Sequence, residues 1–125
     1  MADWIIVVDD DENNLMMAGH ILSTEHMKVT AMKSGRDLLA FLKEREVPDL
    51  ILLDIKMPGM DGFETLTELR KLEKAKEVPV IFLTADDKSE TEAIGLSLGA
   101  VDFIKKPFVP EVLKLRVRHM IHLDQ

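Results

Sequence analysis

The residue best placed for chemistry is Asp54, a carboxylate that follows an apolar run and precedes a turn. The run is Leu50–Leu53, and the turn contains Pro58, Gly59 and Gly62. In open parallel sheets, ligands bind beyond the carboxyl ends of the strands. Asp54 is therefore expected at a ligand-binding edge, where a carboxylate can bind a cation or act as a nucleophile.

A second acidic group, Asp9-Asp10-Asp11, follows the first apolar run. Aspartate titrates near pKa ~3.9, so clustered carboxylates are charged at neutral pH and repel one another. A hard divalent cation such as Mg²⁺ offsets that repulsion through oxygen ligands. We expect Asp9, Asp10 and Asp54 to form a partial cage, with Asp11 and Glu12 turned into the start of the first helix. The alternative, that the acids only cap this helix, leaves Asp54 without a role.

Two groups suited to phosphate follow later strands. Thr84 ends an apolar run, and its hydroxyl can serve as an ordinary helix cap or donate to a phosphoryl oxygen. Lys106 supplies a compact point charge that suits phosphate, and Pro107 directly after it fixes the turn. The Lys106–Pro107 bond is also a candidate for the cis form.

The elements that would position these side chains alternate along the chain. Short runs rich in Val, Ile, Leu or Phe predict strands, and amphipathic runs between them predict helices. This alternation indicates parallel strands joined by right-handed helical crossovers. The predicted strands cover 4–8, 27–32, 50–53, 78–83 and 101–104, and the predicted helices cover 13–25, 35–46, 62–75, 87–98 and 110–122.

The strand patterns also predict the order of the sheet. Strands one, three and four are continuously apolar, as expected for strands covered on both faces, whereas 27–32 and 101–104 include polar residues that suit edges. The resulting order 2-1-3-4-5 defines a flavodoxin-like α/β fold, a (βα)5 three-layer sandwich. That order places the ends of strands one and three side by side, which brings Asp9, Asp10 and Asp54 together.

Composition limits the functional classes. The 125 residues are 46% apolar, which suits one domain over 1–125. The lack of cysteine excludes disulfides and favours the cytoplasm. No apolar run approaches the ~20 residues that span a bilayer. The net charge of −7 disfavours direct binding of nucleic acid. Residues 1–62 carry 12 acidic and 6 basic side chains, which favours a cation site in that half.

Four motifs of the chain are very specific in their order and spacing: Val7-Val8-Asp9-Asp10-Asp11, Leu53-Asp54-Ile55-Lys56-Met57-Pro58-Gly59-Met60-Asp61-Gly62, Leu83-Thr84-Ala85 and Lys105-Lys106-Pro107-Phe108. Through these motifs, the chain resembles the receiver domain of bacterial two-component response regulators over essentially all of its length. The resemblance implies that Asp54 accepts a phosphoryl group from a phosphohistidine on a sensor histidine kinase or phosphotransfer protein, and that Thr84 and Lys106 contact that group.

The same resemblance implies a metal site and an activity. It assigns Mg²⁺ to the carboxylates of Asp9, Asp10 and Asp54 and to the backbone carbonyl of Lys56. The domain is then not an enzyme acting on a separate substrate but a signalling phosphoacceptor, which catalyses its own phosphorylation and dephosphorylation.

A conformational switch is expected as well. Phe103 stands where receivers carry their aromatic switch residue, and it would turn inward as Thr84 moves toward phosphate. The alternative is a Phe packed in one rotamer. The face formed by 87–122 would report the change to an output domain, a partner or a second copy. The last helix has no stop signal before Asp124-Gln125, so we expect either a chain cut from a longer protein with a C-terminal output domain or a homodimer.

Lys56 and Asp86 lie two residues beyond Asp54 and Thr84, at positions that flank the phosphate entrance in receivers. Their opposite charges predict an ion pair over Asp54 that hinders the hydrolytic water. Exposed ion pairs contribute little to stability. The predicted effect is therefore on the lifetime of the phosphoryl group.

Two other classes compete with the receiver. In a phosphatase of the haloacid-dehalogenase type, Asp9 would be the nucleophile and Asp54 would have no role, but Asn13 departs from that family's pattern. A degenerate receiver would act only as an interaction module. The complete set of site residues in this chain argues against that class. A flavin or dinucleotide binder is disfavoured because the first strand-to-helix turn has no glycine-rich loop.

Overall fold

A computed structural model describes residues 3–86 and 88–122. Predicted features that fall on position 87 or on the last three positions lie outside these residues. Strands and helices alternate along the described chain in the order β1 (Trp4–Val8), α1 (Glu12–Ser23), β2 (Lys28–Met32), α2 (Gly35–Glu44), β3 (Leu50–Asp54), α3 (Gly62–Leu69), β4 (Val80–Thr84), α4 (Ser89–Ser97), β5 (Asp102–Lys105) and α5 (Pro110–Ile121).

The five strands form one parallel sheet in the order β2-β1-β3-β4-β5. The predicted strand order and fold class are confirmed. β3 and β4 are buried along their whole length, whereas β2 and β5 are more exposed. Helices cover both faces of the central strands, so successive residues of these strands are buried and their sequences are continuously apolar.

Alternate residues of the central strands enter two separate cores. On one face Ile51, Leu53 and Phe82 pack with α2 and α3, and on the other Leu52 and Leu83 pack with α1 and α5. This division follows from the two-residue period of a strand. The sheet is therefore held rigidly from both sides, which fixes the positions of its carboxyl ends.

Side-chain caps start the first three helices. The carboxylate of Asp11 accepts from the N–H of Asn13 at the start of α1, and Ser34 does the same for Asp37 at the start of α2. At α3 a capping box joins Asp61 to Glu64. Such caps satisfy N–H groups that the helix itself leaves unpaired.

The predicted third helix over 62–75 was wrong at its C-terminal end, since α3 ends at Leu69. Beyond it, backbone bonds of the i to i−3 type join Leu72 to Leu69 and Ala75 to Leu72, each at 3.0 Å. These tight turns still bury Ala75 and pack Leu72 on the core. The helical spacing of apolar residues therefore continues beyond the end of the α-helix, which made the predicted helix too long. The remaining described boundaries lie within two residues of those predicted.

None of the helices in 3–86 and 88–122 combines the length and apolar character needed to cross a membrane.

Candidate functional site

Strand register brings the predicted site residues to one edge of the sheet. Val8 of β1 pairs with Leu53 of β3, so the next residues, Asp9 and Asp54, end neighbouring strands. On the other side of β3, Asp54 pairs with Leu83 of β4. Thr84 then pairs with Lys105 of β5, directly before Lys106.

Three carboxylates converge at this edge. Asp9, Asp10 and Asp54 each offer an oxygen, and these oxygens all lie within 4.8 Å of one another. Asp9 is fully buried and Asp54 is 3% exposed, whereas Asp10 faces solvent. Asp9 is oriented by the N–H of Asp11, which donates to its Oδ1 at 2.9 Å. Hard oxygen ligands in this arrangement, partly open to water, fit the coordination preferences of Mg²⁺.

Lys106 joins two of these acids. Its Nζ lies 2.9 Å from Oδ1 of Asp54 and 3.2 Å from Oδ2 of Asp9. The backbone N–H of Lys106 donates to the carbonyl of Thr84 at 2.8 Å, and the predicted cis peptide bond to Pro107 is present. The ammonium therefore compensates the two buried carboxylates and holds Asp54 in a fixed orientation.

Burial raises the pKa of Asp54 from about 3.8 to about 6, although the hydrogen bond from Lys106 works in the opposite direction. The nearby charge of Asp9 adds to the increase. Burial also disfavours the Lys106 ammonium, but the hydrogen bond and charge of Asp54, with the charge of Asp9, outweigh it and raise the pKa of Lys106. Lys106 thus stays protonated at neutral pH, and most Asp54 side chains are ionised.

Thr84 is buried and uses its hydroxyl within the following loop. The hydroxyl accepts from the N–H of Asp86 at 2.9 Å and donates to the carbonyl of the same residue at 3.1 Å. A cleft of about 280 Å³ opens beside it and is also lined by Asp54, Lys56 and Lys106. Thr84 therefore borders the same cleft as Asp54, but its hydroxyl bonds elsewhere in this conformation.

The prediction of an ion pair between Lys56 and Asp86 was wrong. Both residues line the cleft, yet within 3–86 and 88–122 they do not form a salt bridge. Instead, the Asp86 carboxylate accepts from the N–H of Lys88 at 2.8 Å and from the hydroxyl of Thr91 at 2.9 Å. These local bonds are the main contacts of the carboxylate, and the charge of Lys56 acts on it only weakly. Sequence reasoning missed Thr91, because no short motif marks a hydroxyl five residues after an aspartate.

Phe103 packs partly inward, toward α4 and the core. Its ring centroid lies 5.7 Å from that of Phe82, the residue that pairs with it in the neighbouring strand. Phe103 also borders a groove of about 360 Å³ that Thr84 and Arg116 line. The structure thus places Phe103 and Thr84 along one groove that side chains of α4, β5 and α5 line.

Gly62 permits the approach of the turn after Asp54. Its N–H donates to the carbonyl of Ile55 at 2.7 Å, and a Cβ at this position would lie 2.8 Å from the Cα of Ile55. A side chain here would push the start of α3 away from the end of β3. The glycine in the predicted turn thus has a positional role beside Asp54.

Residues 5–118 match the family described as "Response regulator receiver domain", and the chain belongs to this family. Receivers serve as phosphoacceptors in two-component signalling, which is therefore the general role of this domain. The fold, the converging carboxylates and the lysine described above agree with that assignment.

The chain is similar to the response regulator PleD of Caulobacter vibrioides, with 38% identity over 120 residues, covering 96% of this chain and 26% of PleD. It is 37% identical over 113 residues to a probable cyclic di-GMP phosphodiesterase of Vibrio cholerae, covering 90% of this chain and 25% of that protein. The chain thus spans about a quarter of these relatives. Among solved structures, the Vibrio cholerae chemotaxis protein CheY4 superposes with a TM-score of 0.90 at 29% identity, over 96% of this chain and 99% of CheY4.

Proposed function

We propose that Asp54 is the phosphoacceptor and that it takes a phosphoryl group from a phosphohistidine on a sensor histidine kinase or phosphotransfer protein. The observation that carries this proposal is the position of the Lys106 ammonium, 2.9 Å from Asp54 and 3.2 Å from Asp9. A nucleophile in a small cleft, beside a fixed cation and a carboxylate cluster, has what phosphoryl transfer requires, namely position and charge compensation.

In the proposed transfer, an oxygen of the Asp54 carboxylate attacks the phosphorus of the phosphohistidine. The new O–P bond forms an acyl phosphate as the N–P bond breaks, and the imidazole leaves with the electron pair of that bond and takes up a proton. Lys106 donates hydrogen bonds to the transferring oxygens, where negative charge must be stabilised. Thr84 donates to another of these oxygens once its hydroxyl leaves Asp86. These side chains thereby promote phosphorylation of Asp54 by the chain itself. Water that enters the same cleft attacks the phosphorus of the acyl phosphate, breaks its O–P bond to Asp54 and releases inorganic phosphate, which restores the carboxylate.

The carboxylates of Asp9, Asp10 and Asp54, with the backbone carbonyl of Lys56, would hold Mg²⁺. When bound, the ion supplies positive charge to the phosphoryl oxygens and offsets repulsion among the acids. Support comes from the convergence of three carboxylate oxygens within 4.8 Å of one another. Among the described residues, the ammonium of Lys106 compensates two of these acids, Asp9 and Asp54.

The readout follows from the charge change. Phosphorylation adds negative charge and acceptor oxygens at Asp54, which favours a second conformation through bonds to Thr84 and Lys106. Phe103 would then move with Thr84 along their shared groove, and the face formed by 87–122 would differ between the two states. Exposed apolar side chains on this face, among them Leu96 and Leu115, suit contact with an output domain or a second copy.

For the whole protein, we propose a C-terminal output domain controlled by this receiver, since the longer relatives match it over about a quarter of their length. The 1–125 domain extent and the cytoplasmic location predicted from the absence of cysteine remain predictions.

Incubation with acetyl phosphate and Mg²⁺ tests the proposal directly. The wild-type chain should gain one acid-labile phosphoryl group by intact mass, and Asp54→Asn should gain none. Chelation of Mg²⁺ with EDTA should abolish labelling of the wild type. Labelling retained in Asp54→Asn would reject Asp54 as the acceptor and would restore the phosphatase alternative based on Asp9.

A further inference from the structure

A continuous set of hydrogen bonds runs from Thr84 to the first turn of α4. The Thr84 hydroxyl donates to the backbone carbonyl of Asp86 at 3.1 Å and accepts from its N–H at 2.9 Å. The Asp86 carboxylate in turn accepts from the N–H of Lys88 at 2.8 Å and from the hydroxyl of Thr91 at 2.9 Å. One residue, Asp86, therefore links the hydroxyl at the site to the helix that follows.

Asp86 contacts the start of α4 through the N–H of the N-cap residue Lys88 and the side chain of Thr91, rather than through a conventional cap bond to the backbone of the first turn. Lys88, at the N-cap of α4, makes no side-chain cap hydrogen bond. The Asp86 carboxylate lies just before the helix, where negative charge is favoured by the helix dipole. The N–H of Lys88 and then the hydroxyl of Thr91 hold the pKa of Asp86 below its ordinary value. The carboxylate is thus ionised at neutral pH and is a strong acceptor for Thr91.

Among the residues that the structure describes, few other buried contacts hold the N-terminal end of α4. Gly95 is the buried residue of the helix, and it lies near the C-terminal end. Ile94 and Leu96 on either side of it are 49% and 52% exposed. The first turn therefore has few apolar contacts to replace a lost hydrogen bond, and its position depends strongly on the bond between Thr91 and Asp86.

A threonine hydroxyl has a single proton to donate. While Thr84 donates to the carbonyl of Asp86, it does not donate to a phosphoryl oxygen on Asp54. We propose that Thr91 is a positioning residue that stabilises this resting arrangement: by binding the Asp86 carboxylate, it holds the loop whose carbonyl retains the Thr84 hydroxyl. This inference rests on the proposed function of Asp54, and it assigns to Thr91 a restraint on the movement of Thr84.

Removal of the Thr91 hydroxyl tests the proposal. In Thr91→Val, whose side chain has almost the same shape, phosphorylation of Asp54 by acetyl phosphate and Mg²⁺ should be faster by about threefold to tenfold, the population change expected when one hydrogen bond is lost. Thr91→Ser keeps a hydroxyl that can bind the Asp86 carboxylate, so its phosphorylation rate should lie within about twofold of the wild-type rate. A rate in Thr91→Val equal to or below that of wild type overturns the proposal, as does equal acceleration in both variants.

A control separates this effect from the general loss of a helix hydroxyl. Thr67 in α3 donates to the carbonyl of Phe63 and lies on an exposed surface. Thr67→Val should leave the phosphorylation rate at the wild-type value, and acceleration as large as in Thr91→Val would overturn the proposal.

Hydrogen exchange provides a readout that needs no phosphorylation. The N–H of Glu92 donates to the carbonyl of Lys88 at 3.3 Å in the first turn of α4. In unphosphorylated Thr91→Val this amide should exchange severalfold faster than in wild type, and in Thr91→Ser it should not. If no variant is labelled by acetyl phosphate, the proposed function of Asp54 fails, and unchanged exchange at Glu92 separately overturns the role of Thr91.

Discussion

Gly95 of α4 lies directly against the ring of Phe103, so that a Cβ at position 95 would be 2.5 Å from Cζ of that ring. The same Cβ would lie 3.0 Å from Cδ2 of Phe82, so it would meet two aromatic rings at once. The small size of residue 95 therefore permits both the inward position of Phe103 and the close packing of α4.

Gly95→Ala should accordingly destabilise the domain, although alanine is the better helix former. Overpacking of this kind costs about 1–3 kcal/mol, more than the gain of about 1 kcal/mol in helix propensity. Urea unfolding followed by circular dichroism measures the difference. Gly19→Ala is the matched control, since nothing lies within 4 Å of its Cβ position. That variant should be as stable as wild type or more so. An equal increase in the free energy of unfolding of both variants would show that the ring of Phe103 can move away from position 95 without loss of stability.

Asp54→Asn should stabilise the domain at neutral pH in the presence of EDTA. The pKa of Asp54 is raised to about 6 in the fold, chiefly by burial. The wild-type carboxyl therefore contributes stability below its unfolded pKa near 3.8 and loses that contribution as pH rises through about 6. The advantage of the variant should reach on the order of 1–2 kcal/mol near pH 8, after allowance for screening, and vanish near pH 4. Thermal unfolding across this pH range measures it, and an advantage that is constant with pH would contradict the account.

Lys106→Met should impair phosphorylation and stability together. Loss of the ammonium removes the donor at 2.9 Å from Asp54 and leaves Asp9 and Asp54 without that compensation. Labelling by acetyl phosphate should slow by on the order of 100-fold, and the free energy of unfolding in EDTA should fall by about 3 kcal/mol. Lys43→Met, on an exposed residue of α2, serves as the control. Similar labelling rates in the two variants would remove Lys106 from the proposed transfer.

Neutralising Lys56 or Asp86 should change the half-life of the phosphoryl group, because both side chains line the cleft beside Asp54. No salt bridge joins the two side chains, and the charge of Lys56 is the smallest of the causes that lower the pKa of Asp86. The fold-changes for Lys56→Gln and Asp86→Asn should therefore multiply in the double variant, within about twofold. The decay of labelled protein after removal of acetyl phosphate gives all three values. A double variant that behaves like either single variant would indicate that the two residues act as a pair.

The sheet and the carboxylate cluster were predictable because their signals are local and repeated. Continuous apolar sequence distinguished the central strands of the sheet from its edge strands, and the resulting strand order predicted that Asp9 lies beside Asp54. The end of α3 was not predictable in this way, since tighter turns beyond Leu69 preserve the spacing of buried residues. The partner of Asp86 was also missed. Opposite charge favoured Lys56, whereas a local hydroxyl on Thr91 reaches the carboxylate at lower cost in side-chain ordering.

Asp54 ends a central strand, whereas Phe103 lies on β5, which pairs within 3–86 and 88–122 only with β4 and so forms an edge of the sheet. A rearrangement at Phe103 can therefore disturb at most one ladder of backbone hydrogen bonds. The same rearrangement on β1 or β3 would strain two ladders and both cores. The carboxylates are thus held by strands that pair on both sides, whereas Phe103 lies on an edge strand whose rearrangement would leave the rest of the sheet paired.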